Sequence, residues 1–265
     1  MKDPVPLPPD ELGASLRTGP QPGGRRTSFG AVAAEYAALR PGYPDDVVAW
    51  LLGDRPRRVV DLGAGTGLLT ERLVAAGHEV VAVDPSAEML AQLTDRLPAV
   101  TARVGEAEAL PLPDGAVDAV VAGQAAHWFD PVPAAREMRR VLRPGGVVGL
   151  VWNVRDTRVP WVADLDALLV GEARGHGADQ AVVDEFARAL PATATTFESE
   201  VVQTLTPEQV VGTIGTRSYA VTMEPSARAA FLGRIRELLD THPDTRGRAV
   251  LDLPHVTTVY RLQPA

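Results

Sequence analysis

Cysteine is missing from this chain of 265 residues, which excludes disulfides, thiolate metal sites and a cysteine nucleophile. The five histidines are scattered rather than clustered, so the sequence predicts no metal site. Long apolar runs are missing too: no window approaches the length of a membrane span, and the first residues, MKDPVPLPPDEL, lack the apolar core of a signal peptide. We therefore expect a cytoplasmic protein without a membrane partner.

An excess of positive charge is also lacking. Lys and Arg number 26 against 34 Asp and Glu, a formal net charge of −8 at pH 7. Because binding to a phosphate backbone depends on basic residues, this balance argues against a nucleic-acid partner. A hydrophobic content of 45% with 23% charged residues is ordinary for a globular protein, and the length suffices for a substantial core.

Composition divides the chain into three regions. Residues 1–27 are rich in proline and glycine, which disfavour helices and sheets, so we expect a flexible leader. Residues 28–56 are predicted to form an N-terminal helical segment, with its second helix at Asp45–Leu52. Residues 57–265 are predicted to form the main domain, with helical additions within 154–250.

Apolar runs alternate with helical stretches in the main domain, which is typical of βαβ units and a parallel sheet. Several runs are apolar at consecutive positions, as expected of strands that helices cover on both faces. Strands are predicted at residues 58–62, 79–83, 101–104, 117–122, 147–152, 195–205 and 255–263. Helices are predicted at residues 68–76, 87–97, 133–142, 161–190, 207–216 and 227–239, with a turn at 144–145. The fold class is therefore α/β.

The stretch VVDLGAGTGLL places three alternating glycines, Gly63, Gly65 and Gly67, between the first strand and a helix. Such a loop presents backbone N–H groups and allows a ligand to approach closely, which is typical of sites for adenosine-containing cofactors. The nicotinamide fingerprint requires a third glycine at position 68, where this chain has Leu68. The spacing therefore disfavours a dinucleotide.

Two acids flank the glycine loop. Asp84 ends the second strand, where a carboxylate can accept hydrogen bonds from both hydroxyls of a ribose. The alternative interpretation is that Asp84 only caps the helix that follows Pro85. Asp61 comes just before the loop, where it would repel a pyrophosphate and attract a cationic amino acid group.

Four motifs, in order along the chain, resemble those of class I S-adenosylmethionine-dependent methyltransferases, in the type 11 branch of quinone-biosynthesis and other small-molecule enzymes. They are VVDLGAGTG, VVAVDPSAEML, GEAEALPLPDGAVDAVVAGQAAHWF and VLRPGGVVGLVW, within residues 59–152. The resemblance implies a Rossmann-like seven-stranded sheet of order 3-2-1-4-5-7-6, with strand 7 antiparallel and helices on both faces. It also implies S-adenosyl-L-methionine as cofactor, S-adenosyl-L-homocysteine as product and a ligand crevice between strands 1 and 4.

The resemblance implies a role for several residues at this crevice. The three glycines would pass under the methionine portion of the cofactor, and Asp84 would hold the ribose. Glu106 and Ala107 would border the adenine, with the Glu106 carboxylate accepting from the exocyclic amine, although the family more often has Asp at this position. Gln124 would lie near the methionine amino group or the reacting methyl.

The N-terminal segment is expected to fold over the cofactor as a lid. Arg40 would then pair with the methionine carboxylate or with an acidic substrate, and Tyr36 would bond the same group. The alternative is that Arg40 complements a helix C-terminus while the tyrosines pack. The candidates for contact with the substrate are Tyr43, Trp128, Trp152 and Asn153.

His127 is a candidate general base, because imidazole takes up a proton near neutral pH; the alternative is a structural histidine beside Trp128. A sulfonium is an activated methyl donor, so positioning can supply much of the rate without a base. The sequence thus predicts methyl transfer by direct displacement to an oxygen, carbon or nitrogen atom of a small organic molecule. Two alternatives stay open: a protein of this fold that binds the cofactor without methylating, and the disfavoured nicotinamide dehydrogenase.

Overall fold

The computed structural model describes residues 39–169 and 178–265, which contain a seven-stranded sheet of order β3-β2-β1-β4-β5-β7-β6. The strands are β1 (Arg58–Leu62), β2 (Glu79–Asp84), β3 (Thr101–Val104), β4 (Val117–Gly123), β5 (Leu142–Arg155), β6 (Ala192–Leu205) and β7 (Leu251–Pro264). β1 to β5 pair in parallel, whereas β7 runs antiparallel to both β5 and β6. The predicted fold class, strand order and reversed seventh strand are confirmed.

Helices connect the strands. They are α1 (Asp45–Leu52), α2 (Leu68–Ala75), α3 (Ala87–Arg96), α4 (Pro131–Val141), α5 (Pro160–Leu168), α6 (Ala178–Ala189), α7 (Pro207–Gly215), α8 (Ser218–Val221) and α9 (Pro225–Thr241). In the described parts of the stretch predicted as helical at 161–190, the structure has two helices, α5 and α6. The short α8 and a 3-10 turn at Ala126–Trp128 escaped prediction, because one helical turn leaves no periodic pattern in the sequence. No described helix has the length and apolar character needed to cross a membrane.

The fifth strand begins earlier than predicted. A turn at residues 144–145 was expected before the strand, but β5 starts at Leu142, which pairs with Val117 of β4. The register then shifts between Val117 and Ala119, and Gly145 adopts a left-handed φ of 79°. The irregularity that Pro144 and Gly145 cause is therefore absorbed within the strand as a bulge-like distortion.

The sheet is buried on both faces because successive residues of a strand point to opposite sides. In β1, Val60 and Leu62 join an apolar cluster with residues of α4 and α6. Val59 points to the other side and joins a cluster with residues of α1 and α2. This packing fixes the carboxyl ends of the central strands, from which the loops of the candidate site emerge.

A third apolar cluster joins α5, α7 and α9 to the end of β6 and the start of β7. Leu165, Ile214 and Ile235, one from each helix, are fully buried in it. Because β7 is antiparallel to its neighbours, its start lies at the same edge as the carboxyl ends of the parallel strands. The helical additions predicted after residue 154 thus pack at the ligand-binding edge of the sheet.

The N-terminal helix α1 packs firmly on the sheet. Trp50 stacks on Phe197 of β6 with ring centroids 5.4 Å apart. Leu51 approaches β5 so closely that a Cβ at Gly149 would lie 2.3 Å from its Cδ2 atom, which requires glycine there. The predicted leader at 1–27 and most of the predicted lid, Tyr36 included, lie outside the described residues.

Candidate functional site

A cavity lies at the carboxyl ends of β1, β2 and β4, where the sequence predicts the ligand crevice. The order of the sheet reverses between β1 and β4, so this cavity occupies the topological switch point. Loops after the strands line it, together with the segment before α1 and a residue after α7. Its wall consists of Arg40, Pro41, Tyr43, Asp61, Gly63, Ala64, Gly65, Thr66, Leu68, Leu69, Asp84, Pro85, Ser86, Met89, Gly123, Gln124, Ala125, Trp128, Phe129, Asn153 and Arg217.

The three glycines of the loop after β1 have left-handed φ values of 69°, 56° and 89°. A Cβ at Gly63 would lie 2.6 Å from the Cβ of Ala125, and one at Gly67 would lie 2.7 Å from the Cγ of Leu93. Packing therefore leaves no room for a side chain at Gly63 or Gly67. A Cβ at Gly65 would meet no described atom within 4 Å, so this glycine is where the loop borders open space and leaves room for a ligand.

Asp84 is buried, with 8% of its surface exposed, and accepts hydrogen bonds from two backbone N–H groups. The donors are Gly65 at 2.9 Å and Ser86 at 2.8 Å. Burial raises the pKa of Asp84, and these two bonds oppose that shift. The N-cap of α3 is the Ser86 side chain, which accepts from the N–H of Met89 at 3.2 Å, so Asp84 is not that cap.

Asp61 is deeper in the wall and 1% exposed. Its Oδ2 atom accepts a hydrogen bond of 2.6 Å from the Thr70 hydroxyl, while Oδ1 has no hydrogen-bond partner among the described residues. Burial raises the pKa of Asp61 to about 7; the Thr70 bond lowers it and the charge of Asp84 adds to the increase. A cation placed in the cavity would satisfy Oδ1 and return the carboxyl to its charged form.

Gln124 follows β4 with a left-handed φ of 56°, a strained conformation for a residue with a side chain. Two contacts with β5 hold it: its N–H donates to Val151 O at 2.8 Å and its Nε2 donates to Asn153 O at 2.7 Å. The Asn153 side chain in turn donates to Gly42 O at 3.0 Å and accepts from the Thr257 hydroxyl at 2.5 Å. Asn153 thereby ties β5 and β7 to the segment before α1.

Five residues with predicted ligand contacts are not on the described cavity wall: Gly67, Glu106, Ala107, His127 and Trp152. Ala107 and Trp152 are core residues, 3% and 2% exposed. Trp152 points into the core because it shares a face of β5 with Val148 and Leu150.

The other residues beyond the wall lie in neighbouring loops. Glu106 forms an isolated backbone bridge with Ala109 in the loop after β3. His127 packs beside Trp128 with ring centroids 5.0 Å apart, and only Trp128 of that pair lines the cavity. The structure therefore gathers the glycine loop, both acids, Gln124 and Asn153, and leaves His127 and Glu106 at its margin.

The wall also contains residues that the sequence analysis did not single out. They include Thr66, Ser86, Met89, Phe129 and Arg217. Thr66 lies inside the glycine motif and Ser86 inside the motif that contains Asp84. Their positions in those motifs could therefore have predicted that both line the cavity. Arg217 lies after α7, far from every motif, and the packing of α7 against α9 brings it to the cavity.

Comparison with known proteins gives the same class of enzyme. A family model described as "Methyltransferase domain" matches residues 60–150. An uncharacterized methyltransferase of Mycobacterium tuberculosis is 46% identical over 237 residues, which is 88% of this chain and 94% of that protein. A malonyl-[acyl-carrier protein] O-methyltransferase of Methylococcus capsulatus is 42% identical over 130 residues, 45% of this chain and 47% of that protein. The structure of a methyltransferase from Anaeromyxobacter dehalogenans superposes with a TM-score of 0.66 and 28% identity, covering 85% of this chain and 97% of the other.

The chain belongs to the class I S-adenosylmethionine-dependent methyltransferases, since the mycobacterial relative spans nearly its whole length and the sheet has the order of that class. It is a methyltransferase, and its cofactor is S-adenosylmethionine. The cavity fits a cationic cofactor of this kind, because two buried acids line it and Asp61 Oδ1 has no partner among the described residues. A diphosphate would meet like charge there. The charge of the cavity therefore argues against the dehydrogenase.

Proposed function

We propose that this enzyme transfers the methyl group by direct displacement to an oxygen, carbon or nitrogen atom of a small organic molecule. The main support is one cavity whose wall combines the glycine loop with residues outside the matched domain, Tyr43, Asn153 and Arg217. Two ligands in one cavity are held within reach of each other, and orientation alone supplies a large part of the rate. The name of one relative, an O-methyltransferase, supports oxygen among the three acceptor atoms.

In this proposal, the loops after β1 and β2 hold the cofactor, which supplies a methyl group activated by its sulfonium. Asp84 accepts hydrogen bonds from the ribose hydroxyls, and Asp61 faces the methionine ammonium group. Gln124 lies near that group or the reacting methyl, and the three glycines pass under the methionine portion. Burial raises the pKa of both acids because it disfavours their charged forms, and the positive charge of the cofactor would favour those forms again.

The remaining cofactor contacts are proposed from the family motifs. Arg40 pairs with the methionine carboxylate, and Tyr36 bonds the same group. Glu106 and Ala107 border the adenine; their loop begins beside Asp84, since the N–H of Gly105 donates to Asp84 O at 3.2 Å.

On the acceptor side, we propose that Tyr43, Trp128 and Asn153 form the surface against which the substrate packs. Closure of the segment 29–43 over the cavity would exclude water and align the acceptor. His127 stays a candidate general base. Its position beside Trp128 puts it one residue from the wall.

Mass spectrometry of candidate acceptors incubated with the enzyme and S-adenosylmethionine tests the proposal. We expect one class of acceptor to gain a single methyl group while S-adenosylhomocysteine forms in equal amount. Reactions without cofactor serve as the control. If the enzyme binds S-adenosylhomocysteine but no small molecule gains a methyl group, the acceptor class is wrong; if it binds no S-adenosylhomocysteine, the assignment of the cavity is wrong.

A further inference from the structure

We infer that the methyl acceptor is a carboxylate, that Arg217 holds it, and that the product is a methyl ester. The inference rests on the proposed function and names its substrate class. It starts from the location of Arg217, which lines the cavity but belongs to the helical additions, outside the matched methyltransferase domain at 60–150. Enzymes that share a fold differ in substrate through the segments added to it, and Arg217 lies in such a segment.

Arg217 and Arg40 line the cavity, and together with Arg155 of β5 they act electrostatically on two nearby side chains, His255 and Tyr219. His255 is 2% exposed; burial is the main cause of its pKa falling to about 3, and the charges of Arg217, Arg155 and Arg40 lower it further. The same three charges act on Tyr219, where burial raises the pKa and they oppose it. The three arginines therefore lie within electrostatic range of both side chains, and Asp166 acts on Tyr219 with the opposite sign. The two arginines that line the cavity, Arg40 and Arg217, favour an anion there.

The surroundings of the three arginines differ, and these differences indicate different roles. Asp166 on α5 bonds Arg155, with a distance of 3.1 Å from Arg155 Nε to Asp166 Oδ1. Arg40 and Arg217 line the cavity itself. Arg40 is assigned to the carboxylate of the cofactor, which leaves Arg217 to the acceptor. A guanidinium carries five N–H donors in a planar fork that matches a carboxylate, so a contact with a neighbour still leaves donors for a ligand.

The chemistry of the wall also favours a carboxylate. The ionisable side chains on the described wall are two acids assigned to the cofactor, two arginines and Tyr43. Neither histidine nor lysine is among them, and Asp61, whose pKa burial raises to about 7, is assigned to the ammonium group of the cofactor, whose charge lowers that pKa again. With both acids assigned to the cofactor, this part of the wall offers no base for a neutral acceptor. A carboxylate is already ionised near pH 7 and needs none.

The step balances without a proton transfer. One carboxylate oxygen accepts a hydrogen bond from Arg217, and the other attacks the methyl carbon. As the new C–O bond forms, the C–S bond breaks and its electron pair stays on sulfur. The anionic acid and the cationic donor become a neutral ester and S-adenosylhomocysteine.

The test uses the whole enzyme, S-adenosylmethionine labelled in its methyl group, and a panel of aliphatic and aromatic carboxylic acids, each beside its amide. Methyl esters release labelled methanol in base, whereas N-methyl and C-methyl products keep the label. We expect base-labile product from acids and none from the amides. Base-stable product from neutral acceptors alone, or no product from any acid by an enzyme that still binds S-adenosylhomocysteine, would overturn the carboxylate assignment and leave the cofactor site intact.

Variants of Arg217 then test its role. Arg217→Gln should raise the KM for the acid by about 10- to 100-fold, because a charge-assisted hydrogen bond is lost. Its Kd for S-adenosylhomocysteine should stay within about twofold of wild type, and Arg217→Lys should recover part of the loss. The matched control is Arg236→Gln on α9, whose partner is Glu208 on α7. An equal loss of affinity for S-adenosylhomocysteine in both Arg217 variants would assign Arg217 to the cofactor and overturn the inference.

Discussion

The segments that line the cavity form two groups of opposite charge, which we call its two sides. The loops after β1 and β2 contribute Asp61 and Asp84, both buried. The segment before α1 and the residue after α7 contribute Arg40 and Arg217. This difference in charge indicates that the acids bind the cationic methyl donor and that the arginines bind carboxylates. The predictions below test that division, beginning with the largest expected effect.

Asp84→Ala should abolish measurable binding of S-adenosylhomocysteine, a loss of about 100-fold or more in affinity. The carboxylate accepts from Gly65 and Ser86, so its removal leaves two N–H groups without an acceptor as well as removing the proposed ribose contact. Isothermal titration calorimetry measures the effect, with Asp95→Ala on the exposed side of α3 as the matched control. Titration of Asp84→Ala with wild-type affinity would show that the ribose lies elsewhere.

Asp61 should make both stability and cofactor binding depend on pH. Its folded-state pKa of about 7 exceeds the ordinary value of 3.8, so between these values the folded protein holds a proton that the unfolded chain releases. The free energy of unfolding should therefore fall as the pH rises from about 4 to about 7 and level off above. The proposed ammonium contact requires the charged carboxylate, so affinity for S-adenosylhomocysteine should fall below pH 7 by up to about tenfold per unit.

Asp61→Asn isolates this contribution, because it keeps the shape of the side chain and removes its titration. Denaturant unfolding and calorimetry at a series of pH values should give flatter curves for the variant than for the wild type. Equal slopes in the two proteins would mean that other groups, such as Asp84, cause the pH dependence. Asp61 would then have no part in holding the ammonium group.

Asn153 connects the two sides of the cavity, and its loss should have an intermediate effect. Asn153→Ala breaks the bonds to Gly42 and Thr257, and should lower the free energy of unfolding by about 1–3 kcal/mol. It should also raise the KM for the acceptor more than the Kd for S-adenosylhomocysteine, since Tyr43 follows the tethered segment. A double-mutant cycle with Thr257→Val measures the coupling; a coupling energy near zero would contradict the tether.

The sequence predicted wall residues on both sides of the cavity, including Tyr43, Trp128 and Asn153 on the acceptor side, but it did not predict Arg217. The glycine loop, Asp61 and Asp84 are set by local geometry, namely a buried strand, a tight turn and a helix within a short stretch of chain. Arg217 reaches the cavity only because Ile214 and Ile235 pack α7 against α9, a contact between distant residues that no local pattern records. Trp152 illustrates the limit within a strand. It ends the motif VLRPGGVVGLVW, but it is buried because it shares a face of β5 with Val148 and Leu150.

The smallest effect is expected at His127. Its size distinguishes methyl transfer that needs a general base from methyl transfer that does not. If the acceptor were a neutral alcohol or amine that needs a general base, His127→Ala would lower kcat by about 100-fold or more. A carboxylate acceptor needs no base, and His127 packs beside Trp128 outside the described wall, so kcat should stay within about threefold of wild type. Trp128→Ala is the matched variant, because it removes a wall residue and should raise the KM for the acceptor. Steady-state kinetics at pH 6 to 8 distinguish the cases: a fall in kcat for His127→Ala, together with loss of a pH-dependent limb near the histidine pKa, would identify His127 as the base and contradict a carboxylate acceptor.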